Sequence, residues 1–273
     1  MIIDKIIHHK ELKEYLDTVV STVNIKGFIK DDPICVPHRF AMQQDIEIAA
    51  FFTAILSWGN RKTIISKATE LIHLMDDAPY DFIINHSDSD KKRFLNFKHR
   101  TFQLTDTLYF IDFLQRHYSS HNSLEKAFYP DTTLDYNQEE ALVCFHNYFF
   151  ESEYAPIRTR KHIATPYRKS TCKRLNMFLR WMVRCDENKV DFGLWKTIPM
   201  SALMIPLDVH VEKYARKFGL LTRKQRDWAA VEEITQHLRK FDPSDPVKYD
   251  YALFGLGVSI HLDVNTLGKS PIT

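Results

Sequence analysis

Lys173 and Asp208 have the side-chain types and settings for chemistry on carbon. Lys173 opens the helical segment "TCKRLNMFLRWMVR" (residues 171–184). A lysine amine attacks carbon only when unprotonated, and nearby cations and the positive end of a helix both favour the neutral form. The surrounding 32 residues, Tyr154 to Cys185, hold nine Lys/Arg and no Asp or Glu. The nine are Arg158, Arg160, Lys161, Arg168, Lys169, Lys173, Arg174, Arg180 and Arg184. Helical polar faces normally mix signs, because opposite charges stabilise one another. One-sign crowding at a helix start, with its free N–H groups, is the composition of a phosphate site. Arg158, Arg160, Lys161, Arg168, Lys169 and Arg174 are therefore expected to contact a nucleic-acid backbone, with strong salt dependence.

The competing expectation is a solvated polar face. At about 100° per residue, Leu175, Phe178, Leu179 and Met182 form the core stripe, while Lys173, Arg180 and Arg184 gather opposite. Cys172 has a similar claim to Lys173, as a low-pKa thiolate. No thiol motif surrounds it, and it reads as a packing residue. Asp208 heads "DVHVEKYARKFG" as an N-cap, with Gly219 just past the helix end. Such an aspartate is an ordinary cap unless a partner makes it more. His210, on the same first turn, orients that carboxylate, binds phosphate or is structural.

The elements that must hold these residues are helices. The chain has 273 residues with only 7 Gly, and its apolar positions recur mostly at three- and four-residue spacing. "ELKEYLDTVVSTVN" reads as an amphipathic helix, and "DDPICVPHRF" as a loop. "DIEIAAFFTAILSW" is almost wholly apolar and reads as a buried central helix. Gly59 ends it, and "RKTIISKATELIHLM" starts the next. Weaker helices are expected near 79–86, 105–118 and 137–151, with further ones in "WAAVEEITQHLRKF" and "VKYDYALFGLG". Beyond Gly257 the sequence turns polar, like a loose tail. The fold class is all-α.

Net charge is only +2, so a nucleic-acid argument rests on local clustering. Cys35, Cys144, Cys172 and Cys185 form no CxxC pair, which points to reduced thiols in a cytoplasmic protein without an iron–sulfur cluster. The start, "MIIDKIIHHKELKEYL", carries acids and reads as neither signal peptide nor anchor, and no membrane span is expected. His38, Arg39 and the histidines at 8–9 lack metal-ligand spacing, so no metal or cofactor is expected. Trp58, Trp181, Trp195 and Trp228 read as core, with Trp58 and Trp181 the candidates for a base pocket or wedge. "KYDYALFGLG" reads as packing the last helix, with Asp250 or Phe254 as the alternative able to reach a pocket.

"CKRLNMFLRW" resembles the lysine-bearing helix of the helix-hairpin-helix DNA glycosylase superfamily, which includes endonuclease III and the oxoguanine glycosylases. "IPLDVHVEKYARKFGL" resembles that superfamily's aspartate-capped helix, and "DIEIAAFFTAILSWGNRKTIISKATELI" its early helix pair. All three occur in the superfamily's order. The blocks "CKRLN…FLRWMVR" and "PLDVHV" also resemble those of an uncharacterised bacterial family that looks like a distant branch of it.

The resemblance implies a two-lobed helical fold, with residues 40–185 as the central lobe and 1–39 plus 186–273 as the second. It implies damaged double-stranded DNA bound by a monomer, with a nucleotide flipped into a pocket between the lobes. Lys173 would then attack the sugar C1′ and form a Schiff base, while Asp208 stabilises the developing sugar cation. Trp58, Gly59, Asn60 and Arg61 fall where the superfamily pushes a side chain into the gap. The superfamily's hairpin is glycine-rich, whereas "ATPYRKSTCKR" has no glycine. Lys173 and Asp208 are also more widely spaced than in most members, although archaeal oxoguanine glycosylases have a comparable gap. The expected function is a DNA glycosylase with AP lyase activity. The alternative is a non-catalytic nucleic-acid-binding protein with the same fold.

Overall fold

The computed structural model describes residues 9–131, 133 and 135–258. His8 and the polar segment expected to be a loose tail lie outside them, apart from Val258. Among the described residues there are helices and turns but no strand. None of their helices is long and apolar enough to cross a membrane.

Helix α1 (His9–Val23) buries Leu12, Leu16, Val19, Val20 and Val23, and a single turn, α2 (Lys26–Ile29), follows. "DDPICVPHRF" is not open loop: it winds into two 3₁₀ turns, Pro33–Cys35 and Pro37–Arg39. Proline at the first helical position explains both starts, since its missing N–H is not needed there. The Asp32 side chain caps the first turn by accepting from the Ile34 N–H at 3.1 Å.

Helix α3 (Gln43–Leu56) is buried continuously from Ile46 to Leu56, as its unbroken apolar run requires. Packed on it are α4 (Arg61–His73), α5 (Pro79–Asn85) and α9 (Lys173–Val183). Its one interior charge, Glu47, accepts from Tyr118 Oη (2.7 Å), Ser123 Oγ (2.6 Å), Leu124 N (2.8 Å) and Trp195 Nε1 (2.7 Å). A fully desolvated carboxylate persists only when so satisfied. Glu47 thus ties α3 to α6 (Leu104–Tyr118) and to the start of α7 (Glu125–Phe128). Helix α8 (Gln138–Phe149) adds Phe145 and Phe149 to the aromatic core.

The remaining helices are α10 (Val209–Lys217), α11 (Trp228–Phe241) and α12 (Tyr249–Gly257). Helix α12 packs against both α1 and α10. The apolar faces of the long helices join one continuous core. Trp181, Trp195 and Trp228 are buried in it, so Trp181 is not open to a base.

The part of the α9 face opposite its apolar stripe that carries Arg180 and Arg184 is buried and not a solvated surface. Arg180 and Arg184 are 5% and 2% exposed. Arg180 pairs with Asp191 at 3.2 Å and with Asp250. Arg184 pairs with Asp191 (3.1 Å), Asp186 (2.8 Å) and Asp245 (3.0 Å). For these two arginines the acids missing from 154–185 arrive from later in the chain. Buried guanidinium groups require this, because an unpaired interior charge is strongly unfavourable.

Candidate functional site

Charges from the starts of α10, α12 and the first 3₁₀ turn act on the Lys173 amine at the start of α9. Lys173 is the first residue of α9, and its half-buried side chain runs beside Met177, whose Sδ accepts from Nζ at 3.5 Å. Three carboxylates act on the amine: Asp208 at the N-cap of α10, Asp250 on α12, and Asp32 at the first 3₁₀ turn. Arg61, first residue of α4, completes the ring by acting on Asp32. None of these carboxylates lies within ion-pair distance of Lys173.

Burial lowers the Lys173 pKa from its ordinary value, and Asp208, Asp250 and Asp32 oppose that shift. The expectation that a positive neighbourhood keeps the amine neutral is thus corrected. Only Arg174 adds to the lowering, and the main cause is desolvation. Burial pushes the Asp250 carboxyl up to about 7 against the pull of Arg180, and raises Asp32 as well.

Asp208 is half-buried, and its Oδ1 accepts from the His210 and Val211 N–H groups at 2.9 and 3.0 Å. It is a working N-cap and also the foremost charge on Lys173. His210 lies edge-on to Phe254, with ring centroids 5.8 Å apart. The Arg61 guanidinium stands 5.4 Å over the same Phe254 ring. Phe254 therefore links the starts of α4 and α10, one of the roles left open for it. Asn60 is exposed and caps α4 by accepting from Thr63 N at 3.3 Å.

The approach to α9 is built without glycine, yet Lys169 and Cys172 adopt left-handed backbone, φ 59° and 49°. Each such non-glycine position costs roughly 1 kcal/mol or more. The Cys172 side chain does not cap the helix, leaving its first-turn N–H groups without a side-chain acceptor there. A pocket of about 150 Å³, lined by His162, Ala164 and Ser170 to Leu175, opens at this uncapped end. Burial pushes the Cys172 thiol up to about 12, away from a low-pKa thiolate.

Arg174 turns inward, donating to Ile55 O at 2.6 Å and Lys161 O at 3.4 Å, and so fastens the start of α9 to the end of α3. Trp58 lies between the Arg174 and Arg100 guanidinium groups, 5.9 and 4.9 Å from its ring. Arg158 pairs with buried Asp106 at 2.7 Å. Lys161, Arg168 and Lys169 are exposed, and Arg160 is half-buried. Among the described residues no three His, Cys, Asp or Glu side chains gather as metal ligands. His38 instead meets Val190 O at 2.8 Å and stacks on Phe192.

Sequence reasoning missed Asp32. The one available signal was an aspartate directly before a proline in a turn segment, which marks a cap but not its neighbours.

A family model described as "Protein of unknown function (DUF2400)" matches residues 32–259. No curated protein and no solved structure matches the chain.

Proposed function

The chain belongs to the DUF2400 family, and from its own geometry we propose that it is a DNA-repair glycosylase with AP lyase activity, using Lys173 as nucleophile. The observation that carries this reading is the Lys173 amine itself: desolvated, lowered in pKa, in no ion pair among the described residues, and under the charge of the Asp208 carboxylate. Desolvated lysines of this kind serve as carbon nucleophiles. We read the helices as the two-lobed helix-hairpin-helix arrangement, with α9 and α10 presenting the reactive pair to a flipped nucleotide.

In glycosylase chemistry the Lys173 nitrogen bonds C1′ of the sugar. The bond from C1′ to the base nitrogen breaks, its electron pair leaves with the base, and the base takes up a proton. The ammonium formed loses a proton, the C1′–O4′ bond breaks with its electron pair leaving on O4′, which takes up a proton, and the C1′ imine results. Abstraction of a C2′ proton then expels the 3′ phosphate. Asp208 stabilises the positive charge developing at the sugar. Asp250, with its carboxyl near 7, is suited to exchanging protons at neutral pH. The uncapped start of α9 and its pocket suit a phosphate on the same strand.

A non-catalytic binder is the second reading. One observation favours it: the three carboxylates around Lys173 stabilise its ammonium form, as a structural charge cluster would. Borohydride trapping separates the two. Incubation with duplexes bearing an abasic site or an oxidised base should give a covalent adduct that Lys173→Ala abolishes. Salt-sensitive DNA binding without an adduct on any lesion would leave only the binder.

A further inference from the structure

We infer that His146, Arg160 and Arg168 form a second anion site, one that takes a phosphodiester of a DNA strand. His146, in the last turn of α8, is only 7% exposed, and its Nε2 has no hydrogen-bond partner among the described residues. Buried polar atoms are normally paired, and none of the described residues pairs this one.

Two cations flank it. The His146 ring packs 5.0 Å from the Phe150 centroid, and the Arg160 guanidinium stands 5.1 Å over that same ring. Arg168 ends the 3₁₀ turn Pro166–Arg168, which packs against α8. Burial is the main cause that opposes the charged form of His146; a side-chain hydrogen bond with Asn147 favours it, and both arginines oppose it. Neither arginine takes part in an ion pair among the described residues. Arg158 in the adjoining turn differs, being held by Asp106 at 2.7 Å.

Two guanidinium groups without an ion-pair partner among the described residues repel one another, and an oxyanion beside them and the His146 imidazole relieves that repulsion. The surroundings favour a strand over a free anion. Tyr167, beside Arg168, is 84% exposed, and Ile157, heading the turn of Arg160, is 85% exposed. Such apolar surface next to cations suits bases as well as phosphates. This assignment rests on the Lys173 reading only in naming the strand as DNA.

The test measures duplex affinity against salt in a Lys173→Ala background, where chemistry cannot consume the DNA. Arg160→Gln/Arg168→Gln should weaken binding about tenfold and make the slope of log affinity against log salt shallower by about one. His146→Gln should weaken it by a smaller factor. Lys10→Gln/Lys26→Gln, which removes two exposed cations elsewhere, should leave the slope unchanged. Equal losses from both pairs would mean a diffuse field and overturn the site. Arginine-dependent binding of inorganic phosphate with an unaltered duplex slope would overturn the assignment to a strand. Failure of borohydride trapping, by contrast, leaves these slopes untouched and sinks only the enzymatic reading.

Discussion

Gly257 passes His210 so closely that a Cβ on residue 257 would lie 2.4 Å from the His210 Cβ. The end of α12 is thereby pressed onto the first turn of α10, the turn capped by Asp208. A Cβ–Cβ clash cannot be relieved by swinging a side-chain tip, so the two helices must separate. Gly257→Ala should cost about 1–3 kcal/mol of stability, as overpacked sites do. It should also reduce adduct formation more than Lys173 burial alone predicts, because Asp208 moves with α10. Urea denaturation and trapping on one preparation check both. A variant of unchanged stability and activity would show that the two helices are not held at that distance.

If the proposed lyase activity holds, the pH dependence of strand scission reports on Lys173. Its lowered pKa means that the rate should rise with pH and level off below pH 10.5, the amine's ordinary value. Asp250 shapes that profile. Its carboxyl, raised to about 7, ionises as pH climbs through neutrality, and the negative charge then favours the Lys173 ammonium. Asp250→Asn removes that charge, so the plateau should begin at lower pH in the variant. A single-turnover profile on abasic duplex decides it, and a shift to higher pH contradicts the coupling.

The same carboxyl has a stability signature. A raised folded-state pKa means that the folded protein holds the proton more tightly than the unfolded chain. Its contribution is fully present below the unfolded value, about 3.9, and is lost as pH rises to about 7. Unfolding free energy measured between pH 4 and pH 7 should fall more steeply in the wild type than in Asp250→Asn. Parallel curves would show that this carboxyl does not carry that slope.

Arg180 should matter to folding far more than its exposed neighbours do. Arg180→Ala leaves buried Asp191 and Asp250 without their shared partner and empties the face of Tyr251, 4.5 Å from the guanidinium. A loss of about 3–5 kcal/mol is expected. Arg168→Ala, at an exposed position, should stay within about 0.5 kcal/mol. Comparable denaturation midpoints for the two would mean that the interior network contributes little.

What the sequence made legible follows from how local each signal is. The apolar run of α3 could only be a buried helix, and Asp208 followed by apolar spacing could only be a helix start; both are local patterns. The polar stripe of α9 was equally visible, but its destination was not. Arg180 and Arg184 are neutralised by Asp186, Asp191, Asp245 and Asp250, which no spacing within 154–185 announces. Asp32 was hidden for the same reason: its neighbourhood with Lys173 exists only once the 3₁₀ turn folds against α4. The placement of Lys173 at a helix start was readable. The cause of its lowered pKa was not, because burial is a property of the assembled core.

Cys172 offers a test of that burial independent of any substrate. Its thiol is 1% exposed and pushed up to about 12 by desolvation, whereas Cys144 and Cys185 are exposed. Thiolate is the reacting species, and access limits it further. With iodoacetamide at pH 8, Cys144 and Cys185 should label within the time that leaves Cys172 unmodified. Cys172 should become reactive only in denaturant. Peptide mapping by mass spectrometry reads all three at once. Rapid labelling of native Cys172 would mean that the start of α9 opens to solvent, and an opened α9 start would hydrate the Lys173 amine and restore its ordinary pKa.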